Sequence, residues 1–161
     1  TKEHKKLTAK RKKSDEEHEA IAKSEWRGGL YWAKDLGPYL PGVNIEASMI
    51  AGGKLSKMGT LLKRSCEVLD ERCKLLYDGP RDVEGLWNEG FYDARSVKVQ
   101  ASRLMRYRPL FTKWAAECEI VYDSEAIDRA VIIKSLEDAG TFCGVGDYRP
   151  KFGRFSVEVL K

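Results

Sequence analysis

Apolar side chains recur at two spacings along this chain, one helical and one extended, and stretches of the two kinds follow one another. Ser14-Asp15-Glu16-Glu17 fits a capping box, with Ser14 as N-cap and Glu17 reaching back to it. Ile21 and Trp26 supply a thin apolar face, which predicts a helix over 15–26 ended by Gly28-Gly29. Leu30–Ala33 reads as a short strand, and Leu36–Pro41, which holds Pro38 and Pro41, as a turn-rich connection. Pro41-Gly42-Val43-Asn44 opens a second helix. Asn44 is its expected N-cap, Ile45, Met49 and Ile50 share a face, and Gly52-Gly53 weakens or ends it. Leu62, Cys66, Leu69, Cys73 and Leu76 recur at helical steps, predicting a helix over 61–73 and a short strand at Leu75–Tyr77. The rival pattern is a hairpin, in which Cys66/Val68 and Cys73/Leu75/Tyr77 alternate around Asp70-Glu71.

Asp82 caps a short helix through Trp87, and Val97, Val99 and Ala101 alternate with polar residues as in a half-buried strand. A basic tip ending at Pro109 follows. Ala116, Cys118, Ile120 and Tyr122 then alternate with charged positions, predicting a strand across Phe111–Tyr122. Ser124 is the expected cap of a helix through Ala139, with Ile127, Ala130, Val131 and Leu136 as its buried stripe and Gly140 as its end. A glycine-rich loop leads to a last strand through Phe155, Val157 and Val159. Trp26, Trp32 and Trp114 sit in apolar context and read as packing residues. This order predicts an α+β protein, most economically a ferredoxin-like (RRM-like) antiparallel sheet with helices on one face. The expected organisation is a basic arm over 1–13 and one domain over 14–161.

Charge alters this picture through its placement. The chain has 29 Lys and Arg against 25 Asp and Glu, a formal net charge of +4. Cations crowd three places: the arm, including Lys10, Arg11, Lys12 and Lys13; the run Arg103, Arg106, Tyr107, Arg108; and the C-terminal loop. Acids concentrate elsewhere, and such segregation favours a polyanion-facing side. Cys66, Cys73, Cys118 and Cys143 form no CxxC, and neither His4 nor His18 is near a cysteine in sequence, which predicts reduced thiols rather than a zinc site. No metal or other cofactor is expected. No apolar run approaches transmembrane length, and the basic N-terminus has no apolar segment behind it. The expectation is a cytoplasmic protein of a bacterial host cell, without a membrane role.

The candidate chemistry lies in the loop. Gly144, Gly146 and Gly153 bracket Tyr148, Arg149, Lys151, Phe152 and Arg154, so cations and flat rings share one short segment. That combination suits phosphates and unpaired bases. On a strand, Arg106 and Arg108 share a face and Tyr107 points to the other. The two guanidiniums could clamp phosphates, and the arm would bind a polyanion without sequence preference. Each feature also has a plainer reading: a charged sheet rim, a soluble hairpin, a solubilising tail. His18 follows an acidic first turn and reads as a solvated helix face. No GxSxG, Walker loop, HExxH or paired-carboxylate pattern occurs, so no enzymatic activity is expected.

Gly144-Val145-Gly146, Asp147–Lys151 and Phe152-Gly153-Arg154 together resemble the glycine-rich loop of the RAMP superfamily, the ferredoxin-fold RNA-binding proteins of CRISPR effector complexes. The final glycine of that pattern is replaced by Phe155. Pro41-Gly42-Val43-Asn44-Ile45-Glu46-Ala47 is similar to the proline-glycine turn that opens the first helix of RAMP backbone subunits, with Glu46 in place of a cation and Ala47 in place of a glycine. The chain also looks like bacteriophage-encoded proteins in which a strand precedes the helix near Ser14, which implies a sheet whose first strand is not in this chain. The resemblance implies that Gly144, Gly146 and Gly153 shape a loop on a nucleic-acid backbone. It implies further that Arg149, Lys151 and Arg154 contact phosphates, and that the second helix presents Lys54 and Lys57 near the same groove.

The expected function is binding of single-stranded nucleic acid, RNA before DNA, with self-association along the strand or assembly into a larger complex. The alternative is a phage-encoded interaction or inhibitor protein that mimics a CRISPR backbone subunit and binds proteins instead.

Overall fold

The computed structural model of the protein describes Thr8, residues 14–99 and residues 102–160. Lys10, Arg11, Lys12 and Lys13 lie outside the described residues. The rest is an α+β protein with five α-helices and small antiparallel sheets among the described residues. The helices are α1 (Asp15–Gly29), α2 (Gly42–Leu55), α3 (Gly59–Ser65), α4 (Val83–Asn88) and α5 (Arg129–Asp138). The strands are β1 (Trp32–Ala33), β2 (Gly37–Pro41), β3 (Cys66–Val68), β4 (Arg72–Leu76), β5 (Tyr92–Val99), β6 (Ser102–Pro109), β7 (Ala115–Ala116) and β8 (Ile120–Tyr122). One sheet runs β1-β2-β4-β7, and β3–β8 and β5–β6 form separate two-stranded ribbons. Contacts group the chain into two compact units, 1–39 with 75–115 and 40–74 with 116–161.

The first unit is built on aromatic packing. The capping box of α1 forms as predicted: Ser14 Oγ accepts from the Glu17 amide, and Glu17 accepts from the Ser14 amide. Gly28-Gly29 lies within the last turn of the helix, which closes at Leu30. Trp26 is fully enclosed with Leu30 and Leu86, and its indole N–H donates to the Phe91 carbonyl at 3.0 Å. A buried indole needs such a partner, because leaving its donor unpaired would cost about 1–3 kcal/mol. Trp87 stacks at 4.8 Å from Tyr92 and 5.4 Å from Trp26. Asp82 caps α4 by accepting from the Gly85 amide at 2.8 Å. Residues 36–41, read as a connection, instead contain β2. Gly37 turns the chain at φ 77°, and Pro38 pairs with Trp32. The expected basic tip at 103–109 is the second strand of the β5–β6 hairpin, with Arg106 opposite Arg95 and Arg108 opposite Asp93.

The second unit centres on Met49, Leu62, Cys66, Ile127 and Ile132. Helix α2 starts at Gly42, with Pro41 rather than Asn44 at the N-cap. The Gly42 amide donates to the Glu71 carbonyl at 3.1 Å, so the chain supplies the partner that a capping side chain would have given. The glycines at 52 and 53 do not end the helix. A Cβ on Gly52 would lie 2.0 Å from the Ser135 carbonyl oxygen, so the pair makes room for α5 and α3 to approach. The helix expected over 61–73 stops at Ser65. Cys66 and Val68 become a strand because β8 pairs with them, and Cys73 and Leu75 alternate inward on β4. These strands do not form the rival hairpin, since β3 pairs with β8.

The long strand expected over 111–122 is two short ones. Between them the Glu119 amide leaves any ladder and donates to the Asp70 carboxylate at 2.7 Å. Asp123, not Ser124, organises the turn that follows, taking the amides of Glu125, Ala126 and Ile127. Helix α5 then starts after Asp128, and Ala130 is exposed while Ile132 and Ser135 are buried. At Gly140 the chain continues into a π turn over Ala139–Cys143. Phe155 and Val157 alternate with exposed neighbours, but no strand forms at 155–159 among the described residues, and the Phe155 amide donates to the Gly140 carbonyl.

Candidate nucleic-acid interface

In the second unit the glycine-rich loop follows directly from the π turn, and three features fix its base. The buried Ser48 hydroxyl, on α2, donates to the Gly144 carbonyl at 2.9 Å. The Val145 amide donates to the Gly153 carbonyl at 2.8 Å, closing the loop on itself. Gly144, Gly146 and Gly153 all take the left-handed backbone, at φ 72°, 82° and 73°. Gly153 also carries a contact constraint, because a Cβ there would sit 1.8 Å from the Val145 oxygen.

Above this base the loop is open. Tyr148 is 42% exposed, and Arg149, Pro150 and Lys151 are exposed. Phe152 is half-buried, and its ring centre lies 5.7 Å from that of Tyr148 at an interplanar angle of 33°. Arg154 is exposed, and its Nε donates to the Pro150 carbonyl at 3.0 Å. Asp147 is the acid within the loop, so the segment carries a surplus of positive charge around two rings.

Lys54 and Lys57 lie at the C-terminal end of α2 and just beyond it, and both are exposed. Six residues separate Lys54 from Ser48, a rise of about 9 Å with a large rotation about the helix axis. The helix therefore does not bring Lys54 to the position where Ser48 holds the loop. Glu46, where the RAMP-like turn would carry a cation, accepts from the Val68 amide at 3.5 Å. It also lines an open cleft of about 510 Å³ with Lys63, Arg64, Cys66, Glu67, Tyr122 and Asp123. Three carboxylates against two cations make that cleft a poor seat for a polyanion.

The arginine cluster belongs to the first unit. Its Asp93, Arg95, Arg106 and Arg108 share one face of the β5–β6 hairpin through their register. Arg95 makes two bonds to the Asp93 carboxylate, at 2.5 and 2.7 Å. Arg106 is ion-paired to Glu25 of α1, and the second Glu25 oxygen accepts from the Tyr107 amide at 3.2 Å. The Tyr107 ring packs on the other face, 5.9 Å from Tyr92 and 6.2 Å from Trp87. Arg108 is half-buried, and the backbone of Arg103 lies in β6 opposite Lys98. Arg95 and Arg106 of the hairpin are thus engaged with carboxylates, whereas Arg149 and Lys151 of the loop are exposed.

Sequence reasoning missed Ser48, Glu25 and Arg81. Arg81 donates to the carbonyls of Leu75 at 2.6 Å and Leu36 at 2.9 Å and lies over the Tyr77 ring. No local pattern marks any of the three, because each has a partner distant in sequence: Gly144 for Ser48, Arg106 for Glu25 and Leu36 for Arg81. His18 is exposed on α1, and among the described residues no group of three or more His, Cys, Asp or Glu could hold a metal ion. Among the same residues no helix is long and apolar enough to cross a membrane. Comparison with protein-family models, curated proteins and solved structures finds no match to this chain.

Proposed function

We propose that this protein binds single-stranded nucleic acid, RNA in preference to DNA, through the loop Gly144–Arg154. One observation carries the reading: Arg149, Lys151 and Tyr148 project openly from a loop whose base is closed by Val145–Gly153 and tethered to Ser48. Guanidinium and ammonium groups would hold phosphates, and the exposed Tyr148 ring would accept a base face. Lys54, Lys57 and the basic arm would add nonspecific attraction to the same polyanion. The ferredoxin-like, RAMP-related arrangement is the finer fold reading that accompanies this proposal, supported by the glycine-loop sequence and the turn at Pro41-Gly42. Within it the protein is a non-enzymatic binder in the cytoplasm of a bacterial host, assembling with further copies along a strand.

The test is binding of labelled single-stranded RNA, single-stranded DNA and duplex across a salt series. Single strands should bind more tightly than duplex. The double variant Arg149→Ala/Lys151→Ala should flatten the log–log salt slope by about 1.4, two phosphates at about 0.7 each. Absence of binding at low salt by the folded protein would sink the proposal. It would favour the second reading, a protein-binding inhibitor, for which Leu104 and Met105, exposed on opposite faces of β6 at 46% and 52%, are the supporting observation.

A further inference from the structure

Two of the four cysteines stand together in the second unit, apart from the glycine-rich loop. Cys73 lies on β4 and Cys118 just beyond β7, the strand that neighbours β4 in the sheet, and the Cys73 thiol donates to the Asp70 carbonyl at 3.7 Å. The backbone beside them is held from both sides. The Leu69 amide donates to the Glu119 carbonyl at 2.9 Å, and the Glu119 amide donates to the Asp70 carboxylate at 2.7 Å. Cys73 is 1% exposed, whereas Cys118 is half-buried. The other two thiols are placed differently: Cys66 lies on β3 near Glu46, and Cys143 ends the π turn.

We propose that Cys73 and Cys118 form a dithiol modification site, which a small disulfide such as oxidised glutathione converts into an intramolecular disulfide. The pairing needs sulfurs at about 2 Å and Cα atoms within about 7 Å, a span typical of residues on neighbouring strands such as β4 and the segment after β7. Accessibility sets the order of events. Cys118, the more open thiol, loses its proton and attacks one glutathione sulfur, breaking the S–S bond and releasing one glutathione thiol. Cys73 then attacks the Cys118 sulfur of the mixed disulfide, and a second glutathione thiol leaves. Two protein thiols are oxidised by two electrons, the glutathione disulfide is reduced by two, and both protons depart on the released thiols. Burial and the facing Asp70 carboxylate keep both protein thiols protonated near neutrality, so exchange is slow there and the reduced pair persists until oxidant accumulates. The site is independent of the nucleic-acid reading.

The experiment treats the folded, reduced protein with oxidised glutathione, followed by intact mass and non-reducing peptide mapping. The expected product has lost two hydrogen masses, joins the Cys73 and Cys118 peptides and leaves Cys66 and Cys143 free. The double variant Cys66→Ser/Cys143→Ser should give the same product at the same rate, and Cys73→Ser should stop at a glutathione adduct on Cys118. A wild-type protein that accumulates the Cys118 adduct without resolving it would overturn the proposal. So would a disulfide between any other pair, or a crosslink that appears only in denaturant.

Discussion

The Glu25 carboxylate binds Arg106 through one oxygen and the Tyr107 amide through the other, so a single side chain of α1 secures both the cation and the backbone of β6. The pair is partly shielded, with the Glu25 side chain 20% exposed and that of Arg106 38% exposed. Its charge is then committed to the fold before any ligand arrives. We expect Glu25→Gln to lower stability by about 1 kcal/mol, since it removes a charge-assisted bond while keeping the shape. The same variant should strengthen oligonucleotide binding at low salt if the freed guanidinium then meets phosphate. Chemical denaturation and the salt series report the two effects separately.

Two loop glycines offer a contrast. Gly153→Ala drives a Cβ to 1.8 Å from the Val145 oxygen and must open the loop base. Gly146→Ala meets no atom within 4 Å and suffers only from its φ of 82°. The first should cost upwards of about 2 kcal/mol and the second about 1 kcal/mol, readable as midpoint shifts in urea.

Gly52→Ala tests the approach of α2 to α5. The added methyl would lie 2.0 Å from the Ser135 oxygen and 2.6 Å from the Ala139 amide nitrogen, both backbone atoms. Backbone cannot swing aside as a side chain does, so we expect a loss of about 3 kcal/mol or more, against a gain of up to about 1 kcal/mol for the same change in an exposed helix. Thermal unfolding followed by circular dichroism distinguishes these outcomes by sign.

Alkaline pH bears on Cys73. Burial, then the neighbouring Cys118 and Asp70, push its thiol from 9.0 up to about 12. A raised thiol pKa means that the folded state favours the neutral form, so this stabilisation is complete below pH 9 and is lost as pH rises toward the folded value. Each pH unit in that window should remove up to about 1.4 kcal/mol. Subtracting the stability profile of Cys73→Ala from that of the wild type isolates the contribution, and parallel profiles above pH 9 would exclude it.

Features decided within a few residues were legible in the sequence. The capping box at Ser14–Glu17, the Asp82 cap and the packing role of Trp26 all depend on neighbours in the chain or on a residue's own size. Cys66 and Val68 fit a helical stripe and a strand equally well, and what decides between them is a partner strand at Ile120–Tyr122. Charges show the same limit. Arg106 is visible as a cation, but its counter-ion lies 81 residues away, and no spacing reveals that. The exposed loop was readable in composition, whereas the hydroxyl that anchors it, Ser48, carries no mark in its surroundings.

The tether from Ser48 to Gly144 has a thermodynamic consequence. A segment held at its base by a buried hydroxyl has already given up much of its freedom during folding, so a ligand meeting it does not have to freeze it again. Ser48→Ala would move that ordering cost from folding to association. Titration calorimetry should then register a more unfavourable entropy of binding, even though no atom in contact with the ligand has changed.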